Sequence, residues 1–261
     1  MTPQSISPAD GARRLVPGIR LPKILRSEIN RLLVASTCFS FTLVFLRMIH
    51  THSTIFAFMA WNLFLAYIPY ALSTWLTARR SRHPLTNPLS MPPTPLTPPA
   101  YRRRWAGGKL TDIAIALAWL LFVPNSFYIL TDLYHLTDSR HPRVPEWYDL
   151  ILIFSFAWNG LLLGVLSVRQ MEKLLPVKGV FRGTLVVFLV MALSAFGVYT
   201  GRYLRYNSWD ILSNPFQLTA DIVYIIVHPL RNQQAWGMIL CFTILLSFIY
   251  SMLKKMSRAL L

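Results

Sequence analysis

The sequence predicts an all-α polytopic membrane protein: a transmembrane bundle of six helices, with one short interfacial or re-entrant helix between the fifth and sixth. Three observations predict it. The composition is 54% hydrophobic and only 14% charged over 261 residues, more apolar than a soluble surface of that size allows. Six apolar segments approach the roughly 20 residues that a helix needs to cross the hydrocarbon. The basic residues alternate between the gaps, as the positive-inside rule requires.

The six segments are Leu32 to Ile49, Thr54 to Leu76, Ile113 to Thr131, Leu150 to Val168, Thr184 to Gly201 and Trp236 to Leu253. A polar stretch of 31 residues, basic and expected in the cytoplasm, precedes the first. No small-residue cleavage site follows the first apolar run, so that run is expected to be an anchor rather than a signal peptide. Arg47 is the main charge within a segment. It stands near a helix end from which it can snorkel to the headgroups.

The stretch Phe216 to Val227 contains Asp221 and is too short to span, so it suits the interface. Residues 32–253 form the expected transmembrane domain, and 254–261 a basic cytoplasmic tail. Within that domain the cytoplasmic linker 77–111 carries seven prolines between Pro84 and Ala100. Such density prevents regular structure and leaves an extended spacer. No internal repeat is visible, so an inverted-repeat transporter has no sequence support.

The charge count tests the topology independently. With the N-terminus inside, the cytoplasmic parts hold six basic residues before the first segment, seven in the second loop, four in the fourth and three in the tail. That is twenty, against six on the outer side: Arg47, Arg140, Arg143, Arg202, Arg205 and Arg231. Counting Phe216 to Val227 as a full crossing would move the basic tail outside and spoil the pattern. Membrane topology thus accounts for the net charge of +16, and no nucleic-acid partner is expected. Cys38 and Cys241, the only cysteines, lie in apolar segments and exclude a disulfide framework.

Chemistry concentrates at two segment ends. In LFVPNSFYILTDLYHL, Pro124 removes a backbone donor, and Asn125, Tyr128, Asp132 and His135 follow at spacings of 3, 4 and 3. These share a face if the helix continues. In YTGRYLRYNSWD, Arg202, Arg205 and Trp209 share a helical face, and Asn207, Ser208 and Asp210 suggest a turn or a new N-cap. The topology puts both ends on the outer side. Asp132 at the hydrocarbon edge favours a cationic partner, so the two motifs are expected to converge.

The arginines then either neutralise carboxylates or bind an anionic small molecule or lipid headgroup. Asn62 and Asn159 are intramembrane amides expected to bond across to neighbouring helices. Gly160, Gly164 and Gly201 are expected to allow close helix approach. No GxSxG, HExxH, GxxxxGK[ST] or CxxC motif is present. No cofactor is expected, and a divalent metal at Asp132 and His135 is a weak alternative, since two ligands three residues apart match no zinc spacing.

The PN-x-x-Y-x-x-x-D-x-x-H pattern from Pro124 to His135, the R-x-x-R-x-N-S-W-D pattern from Arg202 to Asp210, and WNLFLAYIPY in the second segment together resemble the bacterial family labelled domain of unknown function 1361. The resemblance covers the chain from the first segment to the last, apart from the proline-rich linker. It implies a multi-pass membrane protein and no particular activity. The expected location is the bacterial inner membrane, with both termini cytoplasmic by the charge count. The residues therefore leave three readings open. The first is a small module that binds or moves a polar or anionic ligand through an outer-face pocket. The second is a membrane-embedded hydrolase of lipid-linked substrate, and the third a structural subunit. The oligomeric state is open.

Overall fold

The computed structural model describes residues 23–82, 100–138, 144–174 and 180–259. Nearly all of the proline-rich stretch and most of the N-terminal segment lie outside them. The chain falls into two compact units, Met1–Ala35 and Ser36–Leu261. In the first, the described part is helical, with an exposed ion pair between Arg31 and Glu28 at 3.0 Å. Apart from the bounds of the helix that runs through Ala35, all further description concerns the second.

The architecture is all-helical among the described residues. Helices α1 (Lys23–Thr51), α2 (Ala57–Arg82) and α3 (Ala100–Tyr128) are followed by a 3-10 turn (Ile129–Tyr134) and the short α4 (His135–Asp138). Then come α5 (Glu146–Leu174), α6 (Val180–Arg202), α7 (Asp210–Ser213), α8 (Pro215–Val227) and α9 (Gln233–Ala259). Five stretches are long and apolar enough to cross a membrane: Glu28–Thr51, Leu110–Tyr134, Glu146–Leu174, Phe181–Arg202 and Gln233–Ser257. This is an α-helical membrane bundle.

The second expected span forms α2. Its 26 residues reach about 39 Å, long enough to cross. Trp61, Asn62, Tyr67, Pro69, Tyr70, Ser73 and Thr74 make it less apolar than the five. Several of those polar groups are used inside the protein. Ser73 and Thr74 donate to Gln170 of α5 at 2.9 and 3.0 Å, and Ser167 of α5 donates to the Pro69 carbonyl at 3.0 Å. Trp119 of α3 completes the chain by donating to Ser167. A helix that satisfies its polar groups against neighbours pays little for carrying them in an apolar setting.

Helix α2 packs against α3 and α5, α3 also against α5 and α6, and α6 against α9. The apolar core includes Leu76, Trp119, Phe127, Val165, Met191, Leu246 and Tyr250. Two pairs of glycines spaced four apart hold α3 on both sides. A Cβ on Gly160 would stand 2.8 Å from the Ser126 carbonyl oxygen, and one on Gly164 2.8 Å from the Phe127 ring. On α6, a Cβ on Gly197 would meet the Pro124 ring at 2.7 Å, and one on Gly201 the Tyr128 ring at 3.1 Å. Small residues at this spacing let backbones approach where the hydrophobic effect does not drive helices together.

Arg47 departs from the expectation of snorkelling. It turns inward and grips Asp149 of α5 with two bonds, Nε to Oδ1 at 2.6 Å and Nη2 to Oδ2 at 3.0 Å. Its guanidinium also lies 4.1 Å over the Phe56 ring. Both charges are buried, and a bidentate geometry is what offsets their desolvation. Asn159 ties the same two helices deeper in, donating to Ser40 Oγ at 3.0 Å.

Helix α8 begins on Pro215 and stops before Pro229, as proline rules dictate at both ends. Its 13 residues reach about 20 Å, short of a crossing. Leu218 and Ile225 are buried, whereas Phe216, Val223, Tyr224, Ile226 and Val227 are exposed.

Candidate functional site

The two motifs meet where α3 and α6 end. Helix α3 gives way to the 3-10 turn after Tyr128, whose carbonyl accepts the Thr131 hydroxyl at 2.7 Å. Threonine competing for local backbone acceptors loosens α-helical register. At three residues per turn, residues three apart eclipse, which stacks Asp132 and His135 on one side.

Asp132 is 1% exposed. Its Oδ2 accepts a hydrogen bond from Asn62 Nδ2 at 2.9 Å. Its Oδ1 lies 3.6 Å from Arg202 Nη1, an ion pair beyond hydrogen-bond length, and makes no hydrogen bond among the described residues. The same Nη1 stands 3.2 Å from His135 Nε2. Arginine only donates, so Nε2 accepts and the ring proton sits on Nδ1. The guanidinium also lies 5.5 Å from the Tyr134 ring centre. Arg202 keeps 18% of its side chain exposed.

One face of α2 closes this arrangement, with Phe58, Trp61 and Asn62 at helical spacing 3 and 1. Phe58 meets His135 edge-on at 5.1 Å, Trp61 meets Trp209 at 6.3 Å, and Asn62 meets Asp132. A further tie joins the motifs directly, since Asn125 Nδ2 donates to Ser208 Oγ at 2.8 Å. Tyr128 serves as packing against Gly201.

The remaining motif residues lie elsewhere. Helix α6 ends at Arg202, so Arg205 and Trp209 do not share a helical face with it. Arg205 takes a positive φ of 60° in the turn and is exposed. Asp210 closes its own turn, accepting the Asn207 backbone N–H at 2.6 Å and the Ser213 hydroxyl at 2.9 Å. Asp221 accepts from the Tyr206 hydroxyl at 2.7 Å, a bond that holds this phenol above its ordinary range. Sequence reasoning placed Asn62 in the membrane but not at this site. The one signal was WN in α2, an aromatic and an amide on adjoining positions of a helix otherwise apolar there.

Among the described residues, no three His, Cys, Asp or Glu side chains converge to hold a metal. Between Asp132 and His135 the Arg202 guanidinium already stands where a metal cation would. A separate cavity of about 410 Å³ is lined by Tyr199, Leu230, Arg231, Asn232, Gln233, Gln234 and Ala235. It shares no residue with the Asp132 cluster.

Residues 61–249 match the family described as Protein of unknown function (DUF1361). The chain belongs to this family. The matched region begins at Trp61, beside the Asn62 that reaches Asp132, and contains both motifs. Membership agrees with a bacterial integral membrane protein of several spans, as the five apolar helices also show. No curated protein and no solved structure matches the chain.

Proposed function

We propose that this DUF1361 protein is a small membrane module that binds a polar or anionic ligand at the cluster of Asn62, Asp132, His135 and Arg202. The observation that carries the reading is a contrast between two Arg–Asp pairs. Arg47 and Asp149 are closed: bidentate and buried, with both carboxylate oxygens of Asp149 accepting from the guanidinium. Arg202 and Asp132 are open: 3.6 Å apart, with Asp132 Oδ1 making no hydrogen bond among the described residues and Arg202 partly exposed. The first geometry is a structural clasp. The second retains bonding capacity for something else, and an ionisable group at membrane depth is by default a functional site.

In this reading α2 is the sixth crossing, and α8 lies at the outer interface. Both termini and the proline-rich linker then face the cytoplasm. Five crossings would put the termini on opposite sides and break the charge bias of twenty to six. The cluster opens at the outer face. Asn125 and Tyr128 support it through Ser208 and Gly201, while Arg205, Asn207 and Asp210 shape the turn above it. The metal-dependent hydrolase has less support, because a guanidinium occupies the position between Asp132 and His135.

The test is thermal stabilisation of the purified full chain by a panel of polar and anionic small molecules, inorganic phosphate included. At least one class is expected to raise Tm in the wild type and to lose that effect in Arg202→Ala. If no class does so, and the double variant Asp132→Ala with Arg202→Ala recovers the folded yield lost by Asp132→Ala alone, the pair is only structural and the proposal fails.

A further inference from the structure

We infer that the ligand of this site is a polyhydroxylated ring, a carbohydrate carried either as a free sugar or as a lipid headgroup. The inference rests on the reading of the cluster as a binding site and names the chemical class it takes. The cluster sets both charges side by side: a buried carboxylate oxygen with no hydrogen bond among the described residues, and a guanidinium 3.6 Å away. A simple anion attracted by Arg202 meets Asp132 at the same distance, and a simple ammonium attracted by Asp132 meets Arg202. Neither gains from the pair as a whole.

A hydroxyl group donates and accepts at once. Adjacent ring hydroxyls fit, one donating to Asp132 Oδ1 and the next accepting from Arg202. Asn62, half-buried beside them, brings an amide that donates and accepts. Asn62, His135 and Arg202 are the partly exposed members of the cluster, and Asp132 lies behind them.

The aromatic rim supplies the second argument. Trp61 is 52% exposed and Trp209 40%, and their rings stand 6.3 Å apart at 60°. Trp61 is one residue from Asn62, and Trp209 is one from the Ser208 that bonds Asn125. A sugar ring has polar edges and an apolar C–H face. The edges suit the planar side chains of Asn62, Asp132 and Arg202, and the face suits an exposed indole.

The experiment is saturation-transfer NMR on the full chain in nanodiscs. Its probes are neutral methyl glycosides of common hexoses and N-acetylhexosamines, and phosphoethanolamine. A parallel arm measures Tm in nanodiscs with and without a glycosyl diacylglycerol, and with and without inorganic phosphate, which has no C–H proton for the NMR to read. Transfer to ring C–H protons of at least one glycoside is expected, falling at least threefold in Trp61→Ala or Trp209→Ala. Both positions are exposed, so a folding failure is not built into the test, and Trp209→Phe should keep part of the signal. A Tm response confined to the glycolipid also supports the inference and makes the source lipid-linked. Binding of phosphate or phosphoethanolamine without any glycoside or glycolipid overturns the carbohydrate inference and leaves the site standing. Silence from every probe overturns both.

Discussion

Two Arg–Asp pairs show how the same residues take different roles. Arg47 is held by Asp149 through two short bonds with Phe56 beneath it. Removing one partner of such a buried pair strands a charge, and a loss of about 3–5 kcal/mol follows. Arg47→Ala and Asp149→Ala should each lower Tm and folded yield sharply, and the double replacement by leucine should recover most of both. A double variant as unstable as the singles would show that the pair does more than neutralise itself. The residue that looked like a snorkelling arginine is a staple because its partner sits 102 positions away. Linear spacing carries no sign of such a pairing.

At the scale of elements, α3 is the piece on which the rest depends. Pro124 and Tyr128 are clasped by Gly197 and Gly201, and Ser126 and Phe127 by Gly160 and Gly164. Ser126 also donates to the Ala66 carbonyl of α2 at 3.1 Å, in the helical turn before Pro69. The Gly160 position is the least forgiving, since an added methyl meets backbone oxygen rather than a movable side chain. Gly160→Ala should therefore cost about 1–3 kcal/mol by overpacking, seen as lower Tm. Gly237, with nothing within 4 Å of an added Cβ, should accept alanine without loss. Equal effects at the two positions would refute the clasp. The GLLLG spacing was visible in the sequence, but which helix it gripped was not. The 3-10 turn was also hidden, because it arises from one threonine hydroxyl competing for the Tyr128 carbonyl.

For the whole molecule, the prediction is topological. Reporter fusions after Arg82, within 175–179 and at the C-terminus should all read cytoplasmic. A fusion after Asp138 should read external. A C-terminus outside would leave five crossings and demote α2 to a helix that does not span. Cysteine accessibility at Phe216 and Val227 should show both ends of α8 reachable from one side only.

Membrane class, the apolar segments and family resemblance were determined by the sequence alone, because hydrocarbon thickness and charge asymmetry act on composition along the chain. The two motifs could also be read as neighbours, since the third and fifth crossings run in the same direction and end on a common side. Tertiary structure alone decided which members touch. It brought Asn62 to Asp132, joined Arg202 to Asp132 and His135, and turned Arg205 and Asp210 away. The physical reason is that a helix ends where local hydrogen bonds outcompete its own register. Past Arg202 and Tyr128 the direction of each side chain is set by partners distant in sequence, and no periodicity encodes them.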